Sequence, residues 1–349
     1  MYKLLLCWRY LRTRYIALIC IISVTLGVAT LIVVNSVMAG FTHEMQARLN
    51  GVLGDLVVES RSMDGAPNAG NHMALIRKTL GDQVVGMSPL VQAPALMYLE
   101  VHGADGQPHT ITRQVTLLGI DEATYADVSD FGQYLQHPDN RERLDFQLRD
   151  EGYDQIDHQA EDPSSVKERP QMELAGWRHR RAMAERRRLR DAARKQAAMM
   201  SAVQREALAD PFASAGAAEE EAGRDFDPAI DQHTGIVLGI SVCSFRAADG
   251  SDYFHALPGD DVKVSFPKAT IPPEAISSNY TIVDFYESKL GEYDSNFVFV
   301  PLRSLQESRG LIDPETGVAK FNSIQIKLTP GADADAARDK LQAQLPRQF

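Results

Sequence analysis

Cysteine is scarce, and its placement excludes two kinds of site. Of the three cysteines, Cys7 and Cys20 lie before or within the N-terminal apolar run, and Cys243 stands alone beyond it. No disulfide can form among the residues after that run, so a packed core must hold them. No zinc-ligand spacing exists either. The signatures of several enzymes are missing as well. The chain has no G-x-x-x-x-G-K-[ST] phosphate loop, which excludes ATP hydrolysis of that type, and no H-E-x-x-H, G-x-S-x-G or paired C-x-x-C. Its nine histidines are scattered without ligand spacing. The sequence therefore assigns no catalytic residue, no cofactor-binding residue and no metal ligand, and predicts no enzyme. A net charge of −11 gives no global attraction to nucleic acid, which is not expected as a partner.

Charge is also missing from Tyr15 to Phe41, YIALICIISVTLGVATLIVVNSVMAGF. Roughly 20 residues of helix cross the ~30 Å hydrocarbon core of a bilayer, so this run is long enough to span. Lys3, Arg9, Arg12 and Arg14 precede it with no acid among them. Cationic flanks stay on the cytoplasmic side, which places the N-terminus inside and the residues after about 42 outside. A cleaved signal peptide is the competing reading, with Val37, Met38 and Ala39 before Gly40 as its small-residue site. The apolar run exceeds the usual signal length of about 7–15 residues. Gly27, Asn35, Ser36 and Gly40 are small or polar, and such residues suit packing against other membrane helices. Hydroxyls within the run can also be satisfied by their own helix.

The 349 residues suggest two or three domains. Residues 1–14 read as an interfacial segment with Leu4, Leu5, Trp8 and Leu11 near helical spacing. A polar helix continues past Thr42 until Gly51 and Gly54 break it. A soluble α/β pattern follows. Strands are expected at Asp55–Ser60, Val84–Met87, Ala95–His102 and Thr110–Gly119, with a helix over His72–Leu80. Composition shifts near His137. To about His233 the chain is rich in charge, alanine and methionine, which predicts exposed helices between disordered flanks. That block, 137–233, reads as an insertion whose removal leaves the rest folded. Patterning resumes with Gly235–Cys243, Gly259–Phe266, Tyr280–Phe285, Asn296–Val300, an alternating strand over Phe321–Leu328 and an amphipathic helix over Asp333–Leu345. The fold class is thus α+β, one membrane helix followed by a mixed α/β domain in two parts, 42–136 and 234–349, around a largely helical or disordered insertion.

Two acidic pairs and one basic cluster call for a role. Asp260–Asp261 sits in a turn, where carboxylates accept backbone N–H bonds. Glu292-Tyr293-Asp294 reads as structural. Trp177–Lys195 holds eight arginines and Lys195 against Glu185 and Asp191. It is either a solvated helix balanced by the acidic flanks 150–162 and 219–227, or a surface for anionic lipid or another polyanion.

The order of several short stretches resembles one family. RYLRTRY followed by LGVATLIVVNSVMAGF is similar to the first transmembrane helix of ABC-transporter permeases of the LolC/LolE lipoprotein-releasing type, within the MacB/FtsX-like superfamily. GIVLGISV (Gly235–Val242), GDDVKV (Gly259–Val264) and YTIVDFYESKLGEYDSNFVFVPLRSLQ (Tyr280–Gln306) resemble its later segments. Gly235, Gly239, Gly259, Asp260, Glu292, Tyr293 and Asp294 carry the match, which covers 1–136 and 234–349. The resemblance implies a MacB-like periplasmic core domain, an inner-membrane location with a cytoplasmic N-terminus and a periplasmic bulk, and ATP-driven motion passed outward to release lipoproteins. The implied partners are a cytoplasmic ABC ATPase that binds ATP and Mg, a second permease subunit in a homo- or heterodimer, a lipoprotein cargo and a periplasmic carrier. A MacB-type efflux permease and a membrane-anchored adaptor are the alternatives. The block 137–233 departs from the family pattern. Such permeases have four membrane helices, so the chain looks like the N-terminal portion of one.

Overall fold

The apolar run forms one continuous helix, α1 (Tyr15–Val52). At 1.5 Å per residue its 38 residues extend about 57 Å, well beyond a bilayer core. Among the described residues it is the one helix long and apolar enough to cross a membrane, by length and composition over Ile19–Thr42. The computed structural model describes residues 2, 9, 15–52, 54–62, 64–102, 108–159, 168–206, 226–247, 250–270, 272 and 274–345. The expected interfacial segment 1–14 lies outside these but for Tyr2 and Arg9, and so do most of the flanks expected to be disordered, 160–167 and 207–225. The chain divides into two compact units, Met1–Gly51 and Val52–Phe349.

The second unit is mixed α/β. Its elements are β1 (Leu56–Glu59), β2 (Ala66–Pro67), α2 (Ala69–Leu80), β3 (Val84–His102), β4 (Pro108–Ile120), α3 (Pro138–Glu142), α4 (Trp177–Glu206), β5 (Thr234–Gly239), α5 (Ile240–Cys243), β6 (Ser244–Arg246), β7 (Asp252–Phe254), β8 (Asp261–Pro267), β9 (Ala275–Tyr286), α6 (Gly291–Asn296), β10 (Phe297–Pro301), α7 (Leu302–Arg309), β11 (Lys320–Phe321), β12 (Ser323–Leu328) and α8 (Ala334–Gln344). The main sheet runs β1-β12-β3-β4-β10-β5-β9-β8, and β8 pairs back onto β3. Six strands therefore close into a barrel, while β12 and β1 extend one half of β3 as an antiparallel flap. Ile76 and Leu80 of α2 and Ala337 and Leu341 of α8, each pair one turn apart, bury against Val58, Ile324 and Ile326 of that flap.

Two strands expected at 84–87 and 95–102 are one 19-residue strand, because Pro89 and Pro94 sit where no ladder partner is needed. Leu90 O accepts from Asn322 N, and Gln92 N donates to the Asn322 side chain, so even-numbered residues of β3 face the β12 edge. Pairing with β12 ends at Leu90 and pairing with β8 begins at Leu96, which leaves Pro94 in the gap between them. Pro89 faces the other edge, one residue before pairing with β4 starts. A missing N–H costs little at either place. The buried Arg309 guanidinium closes the gap by donating to Gln92 O and Pro267 O.

Inward residues from all six barrel strands, among them Met97, Leu117, Val264, Ile282, Ile236 and Val298, form one core. The alternate residues Leu118, Val237, Val283 and Phe299 are just as apolar and form a second core outside the barrel. Their cover comes from residues 125–148, chiefly Tyr125, Phe131, Leu135, Phe146 and Leu148. This corrects the expectation for 137–233. Phe146, Leu148, Tyr153, Met172, Ala175 and Ala184 are buried, so the first half of the block belongs to the cores and is not a removable set of exposed helices. Burial of each large side chain is worth about 1.5–3 kcal/mol, which a deletion forfeits. The expected exposure holds for α4 from Glu185 to Ala197. The alternating pattern of β12 predicts one buried face, yet Ser323 and Gln325 are buried along with Ile324 and Ile326. The expected amphipathic helix near the C-terminus is α8, which starts on a capping residue, the Asp333 side chain accepting from Ala336 N at 3.1 Å.

Candidate functional site

The sequence-singled residues fall into three separate places. Gly27, Asn35, Ser36 and Gly40 all lie on α1, where every described side chain from Ile19 to Thr42 is exposed. A side chain at Gly27 or Gly40 would meet open space within 4 Å. The Thr30 and Thr42 hydroxyls donate to Leu26 O and Met38 O one turn back, each at 2.8 Å. Those two hydroxyls are therefore satisfied within the helix.

Gly235 and Gly239 lie on β5, where other backbone passes over the barrel wall. A Cβ on Gly239 would stand 2.2 Å from Asp294 O, and one on Gly235 2.1 Å from Phe146 O. Glycine is required there by close approach rather than by a turn. Gly259 and Asp260 precede β8 and hold the start of α4. Asp260 accepts from Leu257 N at 2.9 Å, as expected of a turn carboxylate, and also meets His179 Nε2 at 2.9 Å. Next to it, Arg180 donates to Gly259 O at 2.9 Å, Asp261 Oδ1 at 2.6 Å and Asp231 O at 2.9 Å. Its guanidinium lies over the rings of Trp177 and Phe226, at 5.9 and 5.7 Å from their centroids. One residue of the arginine cluster is thus a buried clamp between α4, the 226–233 segment and β8.

Glu292, Tyr293 and Asp294 share α6 but point to different surroundings. Asp294 is buried and accepts from both Ser288 N and Ser288 Oγ, at 2.8 and 2.7 Å. Burial pushes its carboxyl up to about 6 despite those bonds. Tyr293 packs edge-on against Phe297, and its carbonyl accepts from the Tyr286 hydroxyl at 2.6 Å. Glu292 is exposed. Glu292 and Tyr293 line a cavity of about 530 Å³ with Gln114, Thr116 and Asn296, so the outer face of α6 offers polar groups beside β4.

A buried ionic network was not legible as such in the sequence. Arg169 is fully buried and bonds Glu287 and Gln136, with its Nε 3.5 Å from Asp252. Lys289 joins Glu287 to Asp157. Nearby, the Asp284 carboxylate accepts from Gln136 N, His137 N and Asn140 Nδ2. Burial outweighs these bonds and pushes Asp284 up to about 6. One signal existed, namely an acid inside the apolar run TIVDFY. These contacts fasten residues 136–157 and Arg169 to the end of β9 and the residues just after it. Burial pushes the Cys243 thiol up, away from the reactive thiolate. Among the described residues, no group of three or more His, Cys, Asp or Glu could hold a metal ion.

The geometry defines a mixed α/β chain with one N-terminal apolar helix long enough to be a membrane span or signal sequence. A scan against models of known protein families finds no match, and no curated protein matches the chain.

Proposed function

We propose that this chain is a permease subunit of a lipoprotein-releasing ABC transporter, with α1 as its first membrane helix and the second unit as a MacB-like periplasmic core. The observation that carries the reading is α1 itself. It is one unbroken helix, far longer than a bilayer core, with Asn35, Ser36 and two glycines exposed along a stretch that holds no charge. Asn35 is costly against lipid, and a partner helix would relieve that cost. Only residues 53–55 separate the helix from β1. A helix so built is suited to pass a tilt to the domain after it. In this reading the N-terminus is cytoplasmic and the barrel periplasmic. ATP and Mg are bound by a separate ATPase, and a second permease subunit supplies the facing helices. The polar cavity beside α6 is then available to a partner or cargo.

The test is isolation of the chain from its native membrane, with Asn35→Leu in parallel. The expected result is co-isolation of a P-loop ATPase whose hydrolysis supports release of a lipoprotein from membrane vesicles. Asn35→Leu is expected to insert normally and to lower release at least about tenfold. Isolation without any ATPase, or full release by Asn35→Leu, overturns the reading.

A further inference from the structure

The exposed half of α4 carries its cations in a definite order. At about 100° per residue, Arg186, Arg187, Arg190 and Arg194 fall on one arc of about 100°, and Glu185 and Asp191 fall outside it. All four are exposed. Arg187 also lines a cavity of about 590 Å³ against the barrel wall. Lys263 of β8 lines the same cavity, with the Thr110 hydroxyl, the Asn279 amide and the Ser265 and Ser277 hydroxyls, which bond each other at 2.6 Å and keep one proton between them for a ligand. Two acids line it as well. Asp261 is already engaged by Arg180 and by the Thr281 hydroxyl, which among the described residues leaves Glu100 as the carboxylate open to a ligand hydroxyl.

This donor set has a chemical preference. Two cations from different elements, surrounded by hydroxyl and amide donors, suit a phosphate. A carboxylate beside them accepts from hydroxyl groups next to that phosphate. The arginine row outside the cavity extends the positive surface for further phosphates. We propose that the cavity between α4 and the β8–β9 wall binds the polyol-phosphate headgroup of an anionic lipid, with Arg187 and Lys263 on the phosphate, Glu100 on a headgroup hydroxyl and Arg186, Arg190 and Arg194 on neighbouring headgroups. The choice of a lipid over a soluble phosphate rests on the reading of α1 as a membrane helix. A domain joined to a membrane span by residues 53–55 meets headgroups at high effective concentration. The overall charge of −11 would otherwise oppose the encounter, so the site must act through its local field.

The experiment uses the full chain in neutral detergent micelles doped with either phosphatidylglycerol or phosphatidylcholine. Tryptic cleavage after Arg186, Arg187, Arg190 and Arg194 is timed by mass spectrometry, with cleavage after the exposed Arg338 of α8 as internal reference. Phosphatidylglycerol is expected to slow cleavage at the four arginines about tenfold relative to phosphatidylcholine, as charge-assisted bonds to phosphate should. Arg338 is expected to be unaffected, and Lys263→Ala to abolish the protection. Lys263 is exposed on its strand, so that variant keeps the barrel core. Equal rates in the two lipids overturn the proposal. Protection by free glycerol 1-phosphate equal to that by the lipid overturns the lipid assignment. Protection that survives Lys263→Ala overturns the cavity. Alkaline extraction of the chain from vesicles reads membrane insertion of α1 separately, so loss of the headgroup site and loss of the membrane reading are distinguished.

Discussion

Replacing Arg169 by methionine tests whether the 137–184 segment is held to the barrel by charge as well as by packing. Arg169 has no exposed surface and neutralises a pocket that also holds Glu287, Asp252 and Asp157, with Lys289 as the second cation. The cluster carries two positive and three negative charges, and Arg169→Met leaves one against three. Breaking a buried pair while one partner remains costs about 3–5 kcal/mol, a large share of a typical domain stability of about 5–15 kcal/mol. Glu287→Gln alone removes a negative charge and leaves Arg169 with Asp252 and Gln136, so its cost should be smaller. The double variant restores the wild-type balance of charge. It should lie closer to wild type than the sum of the single changes by at least about 2 kcal/mol. The measurement is urea unfolding of the full chain in neutral micelles at pH 7.5, followed by Trp177 emission in a Trp8→Phe background. Trp177 packs against the outer core, so its emission reports the segment directly. A loss below about 1 kcal/mol for Arg169→Met, or strict additivity in the cycle, refutes a buried charge network.

Asp284 gives a pH signature of defined sign. Its folded pKa of about 6 lies above the ordinary carboxylate value, so its contribution is complete below pH ~4 and is lost as pH rises through about 6. Wild type should gain about 1 kcal/mol from this group between pH 7.5 and 5, and Asp284→Asn should lack that gain; parallel pH profiles in urea unfolding would contradict it. Deletions separate the two halves of the 137–233 block. Removing 189–224, with a short glycine-serine bridge from Arg188 to Asp225 that keeps Phe226 and the Arg188–Asp227 pair, should shift the Tm by no more than about 2 °C. Removing 140–230 should abolish cooperative unfolding, and a sharp transition in that variant would show that the outer core does not need its cover. Inserting six glycine-serine residues after Val52 should leave that Tm unchanged while lowering lipoprotein release at least about tenfold, and undiminished release would argue against rigid coupling.

Much of the secondary structure was legible from period and punctuation. Strands β4 and β10 and the helix α8 all lie where apolar patterning and turn residues place them. The barrel closure was not legible, because it depends on β8 pairing with the middle of β3 across more than 160 residues of sequence. The outer core was missed for a different reason. Ile236-Val237-Leu238, Ile282-Val283 and Val298-Phe299-Val300 are continuous apolar runs, the mark of strands buried on both faces. Strands of that kind need a second cover; Tyr125, Phe131 and Leu135 supply part of it, and Phe146 and Leu148 add to it from the block 137–233, whose composition reads as polar. Its few large apolar residues, Phe146, Leu148, Tyr153 and Met172, are spread among charges. The charges that accompany them inward, Arg169 and Arg180, are neutralised by partners distant in sequence. Of the singled-out glycines, Gly235, Gly239 and Gly259 stand where the backbone of residues 146, 294 and 176 leaves no room for a Cβ, a reason that no local pattern carries.

The way the second unit begins gives the proposed lever a physical route. The Asp55 carboxylate accepts from Leu328 N at 2.8 Å, and its other oxygen stands 4.0 Å from Lys327 Nζ. Gly54 lies so close to Ile326 that a Cβ there would stand 2.9 Å from its carbonyl oxygen. Gly54 and Asp55 are therefore pinned to β12 before β1 starts. From β12 the ladder passes to the first half of β3, and β3 continues without a break into the barrel wall. Displacement of the chain at residue 54 would act on a row of backbone hydrogen bonds rather than on a loop, and such a row resists shear because every bond must shift register together. A flexible joint in this route would sit at the Pro94 gap, where β3 has no partner on one edge. Arg309 spans that gap from α7, which ties the two halves of β3 to the β8 end of the barrel and keeps the route stiff.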